Sequence, residues 1–152
     1  MKRLPLQGTL LLILLGFTAT CQVNIPLNQH PVEKAALFNQ LPEKLICPAT
    51  ILENIFLQKP NSRLNAKLSN QFSIEGIVLE KTFVTAQQLS INIRCTNFQN
   101  ALFNISRITQ QDGSSRFTGR IISPDHGDLL LLREEKGEYS FIKQKQLLSM
   151  VE

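Results

Sequence analysis

The densest set of side chains able to do chemistry is Asp125-His126-Gly127-Asp128. Two carboxylates beside an imidazole are the ingredients of a base oriented by an aspartate, or of part of a metal site. With Pro124 in front, the same residues also suit a tight hairpin turn. Proline presets φ, aspartate hydrogen-bonds nearby backbone, and glycine relieves crowding. Neighbours in one short loop cannot all converge on a point, and no motif elsewhere supplies a third ligand. Turn chemistry therefore accounts for the cluster most simply; a small hydrolase or metal protein using Asp125, His126 and Asp128 is the alternative. His30 sits in a proline-interrupted stretch and has no chemical neighbour. The sequence contains no Gly-x-Ser-x-Gly, no His-Glu-x-x-His and no phosphate-cradling glycine loop. No residue is assigned a catalytic role, none a metal, and nothing calls for a cofactor.

Sulfur is the second place to look. The three cysteines are Cys21, Cys47 and Cys95. In an oxidising compartment Cys47 and Cys95 are a candidate disulfide, closing a loop of about 50 residues worth about 4 kcal/mol in the chain-entropy picture. Cys95 also continues the alternation Leu89, Ile91, Ile93, where a cysteine serves simply as a small buried hydrophobe. Both readings stand. Cys21 is a candidate lipid acceptor, although Thr18 and Thr20 fit that signal poorly.

Lys2 and Arg3 precede the apolar run from Leu10 to Phe17, and Ala19 and Cys21 offer small residues at a cleavage point. This is the layout of a secretory signal peptide, and the run is too short to span a bilayer, which takes about 20 apolar residues. Residues 1–21 are therefore expected to be removed, leaving a secreted or periplasmic protein. Lipidation at Cys21 would instead tether it to the cell envelope, the one route to a membrane. Losing two of the 16 basic residues, against 12 acidic ones, lowers the formal charge from +4 to +2. The remaining charges are scattered, which excludes a nucleic-acid-binding stripe.

Residues 22–42 read as a leader, broken by Pro26, Pro31 and Pro42. Residues 43–152 form a single β-rich domain. Pro48 suits the start of a helix, and Ile51, Leu52, Ile55 and Phe56 share one helical face over about three turns, ending at Lys59-Pro60. Beyond it the period becomes two. Strands are predicted at 63–68, 72–84, 89–98, 101–110, 115–123, 128–133, 138–143 and 147–151. Gly76 and Gly119 fall inside strands, where glycine marks a bulge or a close backbone approach. Successive hairpin turns make the strands antiparallel. The predicted fold is mostly β: a small antiparallel barrel or sandwich with one short N-terminal helix. Phe98, Phe103, Phe117, Tyr139 and Phe141 belong to its core before any binding platform. Asn104-Ile105-Ser106 is a glycosylation sequon, but it lies within a strand.

Several stretches carry a family likeness: Phe98-Gln99-Asn100-Ala101-Leu102-Phe103, Phe117-Thr118-Gly119-Arg120-Ile121-Ile122, His126-Gly127-Asp128 and Glu138-Tyr139-Ser140-Phe141. Together with Leu41-Pro42-Glu43-Lys44 they resemble the N-terminal, non-catalytic, pro-region-like β module of secreted zinc metalloproteases from Bacteroidetes-type bacteria. That resemblance implies a role beside a secreted protease and carries over no catalytic residue. The expectation is an exported, non-enzymatic β domain that binds a macromolecular partner, most naturally a protein.

Overall fold

The period-two pattern is realised as one antiparallel sheet. In the computed structural model residues 34–145 are described. The expected signal segment, Cys21, His30 and the expected strand at 147–151 lie outside the described residues. In chain order the elements are β1 (Lys44–Cys47), α1 (Ala49–Ile55), β2 (Arg63–Ser69), β3 (Phe72–Phe83), β4 (Gln88–Cys95), β5 (Ala101–Thr109), β6 (Ser115–Ile122), β7 (Asp128–Glu135) and β8 (Glu138–Lys145). β2 to β8 form an up-and-down meander, and β1 pairs with β8. The sheet order is thus β1-β8-β7-β6-β5-β4-β3-β2, curled into a half-barrel.

Alternation decides which face goes inside. Ile91, Ile93 and Cys95 of β4, Phe103 and Ile105 of β5, and Ile121 of β6 are all fully buried. Directly paired neighbours such as Ile93 and Phe103, or Phe103 and Ile121, stack across the concave face. Both in-strand glycines mark close approaches. A Cβ at Gly76 would lie 2.5 Å from the Arg94 carbonyl oxygen, and one at Gly119 would lie 2.6 Å from that of Asn104.

Each end of the half-barrel has its own stopper. At one end Leu52, Ile55 and Phe56 come in from α1 and the turn after it, and Phe56 packs on Phe117 with ring centroids 5.8 Å apart. Arg107 holds this cap from the sheet: its guanidinium lies 5.3 Å over the Phe56 ring and 3.3 Å from Glu53. A register shift between Val78 and Glu80 lets Lys81 reach the free carbonyls of Phe56 and Gln58, at 2.5 and 3.4 Å. At the other end the plug is Phe38, fully buried, 5.6 Å from Phe98 in a chain of rings through Phe72 and Phe141.

Four details differ from the sequence reading. β1 was not predicted, because four residues give only one alternation and its pairing with β8 is distant in sequence. The helix makes two turns rather than three, since Pro48 caps it and Phe56 already closes it. β4 stops at Cys95 because Gln99 and Asn100 adopt left-handed φ values of 46° and 61° in the following turn. The described end of the 22–42 leader is part of the core, through Phe38.

Replacing Phe103 by alanine removes a fully buried ring from the centre of the sheet and is expected to cost about 3–5 kcal/mol. The same change at the 71% exposed Phe83 should cost under about 0.5 kcal/mol. Urea denaturation of the two variants checks the contrast.

Candidate functional site

Asp128 opens β7 with only 4% of its surface exposed, and the structure explains why a carboxylate is there. Its two oxygens accept hydrogen bonds from the backbone N–H groups of Leu37 and Phe38, at 2.7 and 2.8 Å. Gly127 adds a bond from its N–H to the Ala35 carbonyl at 3.0 Å, and the Lys34 ammonium reaches the Pro124 carbonyl. Gly127 is needed for this contact, because a Cβ would sit 2.6 Å from the Lys34 carbonyl oxygen. On the far side Lys143 donates to the Leu41 carbonyl at 2.6 Å and pairs with Glu43. The cluster Asp125, His126 and Asp128 therefore does not converge on a ligand position. Asp128 anchors the strap that carries Phe38. His126 is bonded through Nδ1 to the Ser123 hydroxyl at 2.9 Å, and no bond joins it to either aspartate. No group of three or more metal-ligating side chains occurs among the described residues.

The bridge left open by the sequence is not formed. Cys47 and Cys95 are free thiols, both buried, on strands that four others separate in the sheet order. Burial pushes each from 9.0 up to about 12; for Cys95 a backbone hydrogen bond with Phe103 works weakly in the opposite direction. Both act as small core hydrophobes, the second of the two sequence readings.

The aromatics divide in the same way. Phe103, Phe117, Tyr139 and Phe141 are buried and Phe98 is partly buried against the core. The Tyr139 hydroxyl accepts from the Phe117 N–H at 3.1 Å and donates to Glu134 at 3.2 Å; burial raises its pKa. No helix among the described residues is long and apolar enough to cross a membrane.

A different surface remains, one the sequence reading did not single out. β2 ends the sheet order and is hydrogen-bonded only to β3, although the curl of the sheet brings β1, at the other end of the order, alongside part of it. The hydrogen bonds fix which of its backbone groups are unused. The Glu75 N–H and C=O bond toward the β4–β5 side, to Asn97 and Thr96, whereas the Val78 N–H bonds to Ser62. In an antiparallel ladder such roles alternate, so the even-numbered residues of β3 face β2. Asn65 is opposite Glu75, so Arg63, Asn65 and Lys67 turn their N–H and C=O groups away from β3. Their side chains are exposed on the convex face. Beside them runs an open groove of about 420 Å³, lined by Arg63, Asn65, Glu75, Gly76, Ile77 and Thr96. Its floor residue Ile77 is 38% exposed, and Leu79 next to it is 37% exposed. The sequence signal was Arg63-Leu64-Asn65-Ala66-Lys67-Leu68: strict alternation that specifies a strand, but not that the strand is the last of its sheet.

No family model matches this chain, and no significant match was found among curated proteins or solved structures. The likeness to a protease pro-region module therefore rests on its pattern of strands and turns alone.

Two outcomes follow from the buried groups. Asp128→Ala strands two backbone donors and should lose about 1–3 kcal/mol; Asp128→Asn, with one acceptor left, should lose less. Hydrogen exchange should place the first new opening at residues 35–38. The thiol shifts give a second outcome. Stability should be insensitive to the two cysteines below pH 9.0, where both states hold the protons. It should fall as pH rises from 9.0 toward about 12, where the unfolded chain ionises first. A Cys47→Ala/Cys95→Ala variant in alkaline denaturation titrations should flatten that slope.

Proposed function

We propose that this chain is an exported, non-enzymatic β domain that binds a protein partner by adding an extended segment of that partner to the part of the β2 edge that the shorter β1 leaves uncovered. The observation that carries the reading is the row of backbone donors and acceptors at Arg63, Asn65 and Lys67, unused by β3 and flanked by a groove with exposed Ile77. In strand addition the main chain supplies affinity, and pockets beside it select alternate side chains. An open edge is also a hazard for indiscriminate pairing, and exposed cations on β2 are a recognised safeguard. A secreted protease is the partner class that the pro-region resemblance points to. The signal-like N-terminus supports an extracytoplasmic site of action, with ordinary cleavage near Cys21 in place of a lipid anchor.

The edge can be tested without damaging the fold. The Asn65 N–H takes no part in the β2–β3 ladder, and proline is tolerated at such edge positions. Asn65→Pro should therefore fold, with an unfolding free energy in urea within about 1 kcal/mol of the wild type. Pull-down from culture medium and envelope extract should recover a stoichiometric partner with the wild type and not with Asn65→Pro. Equal recovery by the two would move the interface elsewhere. Intact mass of the mature protein checks the export reading, which predicts an unlipidated chain lacking the first 21 or so residues.

A further inference from the structure

We infer that the convex face of β4–β7 is a docking surface for a partner protein whose own surface sets carboxylates among aliphatic side chains. This face is separate from the β2 edge and goes beyond the strand-addition reading. An antiparallel sheet with one solvated face alternates apolar residues inward with polar residues outward. β2 obeys that rule, with Arg63, Asn65 and Lys67 outward. β7 breaks it. Leu129 to Leu132 is a continuous apolar run: Leu130 and Leu132 are buried in the core, while Leu129 and Leu131 stand half-buried on the outer face. Register carries the apolar row across the sheet. Leu129 pairs with Ile122, Ile122 with Leu102, and Leu102, 37% exposed, with Arg94. In the next row Leu131 pairs with Arg120. At about 4.8 Å per strand, the row from Arg94 to Leu129 runs about 14 Å.

Charge selects what would cover this face. β4, β5 and β6 contain no aspartate, no glutamate and no lysine. Their outward cations are Arg94, Arg116 and Arg120. Arg116 is paired with Glu134 at 3.4 Å. Arg94 and Arg120 are exposed and have no ion-pair partner among the described residues. On β3, Glu80 is engaged by the Thr82 hydroxyl and the Asn92 amide. Arginine enriched over lysine, beside apolar residues, is the composition of a protein interface. A guanidinium is weakly hydrated, keeps its charge when covered, and meets a carboxylate through two parallel hydrogen bonds. A nucleic acid would satisfy the two arginines and leave the aliphatic row without an apolar partner. A second copy would bring the same arginines, with no acid from β4–β6 to meet them. An acidic, aliphatic protein surface satisfies both halves of the face.

The test uses the isotope-labelled mature protein and two helical probes of about 16 residues, one with Leu and Glu along one side and a Leu/Lys counterpart. Backbone amide shifts in NMR spectra report affinity and location together. The Leu/Glu probe should shift the amides of Arg94, Leu102, Arg120 and Leu131. It should bind at least about fivefold tighter than the Leu/Lys probe, the scale of two partly exposed ion pairs. Arg94→Glu/Arg120→Glu should reverse that preference, and Leu102→Ser/Leu131→Ser should weaken both probes. The same spectra show whether a variant is folded. Arg94→Gln/Arg120→Gln, which should erase the preference, stands in for a charge reversal that is not. Asn65→Pro should bind the Leu/Glu probe as the wild type does. Equal binding of both probes at this face would overturn the acidic assignment. Shifts confined to β2, or none with either probe, would overturn the docking surface, while the pull-down with Asn65→Pro separately decides the edge. Tighter binding of a short DNA duplex at these residues would overturn the inference in favour of a polyanion. Dimerisation in sedimentation equilibrium, abolished by Arg94→Glu/Arg120→Glu, would overturn it in favour of a second copy.

Discussion

A single curled sheet has a concave face that must stay dry, two ends through which water could enter, and two edges with unpaired backbone. The remaining features of this fold are responses to that constraint. With one short helix and one strap, the chain has little material for the task. Both are used at the ends. The helix cap is held by the Arg107–Glu53 pair, the Arg107–Phe56 contact and the grip of Lys81 on carbonyls of the turn after α1. The strap is held by Asp128, whose two oxygens fix consecutive N–H groups and so set where Phe38 enters.

Both ends employ buried or half-buried charges in contact with backbone. A charge-assisted hydrogen bond to a backbone group is stronger than a neutral one, and it satisfies a group that could not otherwise be buried. That is why the polar cluster around Asp128 looks chemical in the sequence and is architectural in the fold. Carboxylates that orient a base and carboxylates that pin a loop are the same residue type. What separates them is whether the neighbouring groups point at a common empty position, and here they point at the strap.

The edges are treated unequally. β1 is four residues long and begins with the ion-paired Lys44. β2 is longer, regular and marked by Arg63 and Lys67. A function located on β2 uses the longer of the two strands that end the sheet order. It asks nothing of the interior, which is filled by Phe103, Phe141, Ile91 and their neighbours.

Local alternation and turn residues were enough to read seven of the strands, their antiparallel sense, the helix position and the apolar inner face, because period and punctuation are written within a few residues of one another. The Asp112-Gly113 and Lys136-Gly137 turns, with glycine φ values of +82° and +79°, show how short that range is. Four matters depended on residues far apart in the chain: the pairing of β1 with β8, the burial of Phe38, the free state of the two thiols, and which strands end the sheet. Phe38 and Asp128 are 90 residues apart. Neither carries any local sign of the other. A residue's own neighbours dictate its backbone conformation, but which group finally satisfies or covers it is settled only when the whole sheet closes around a shared interior.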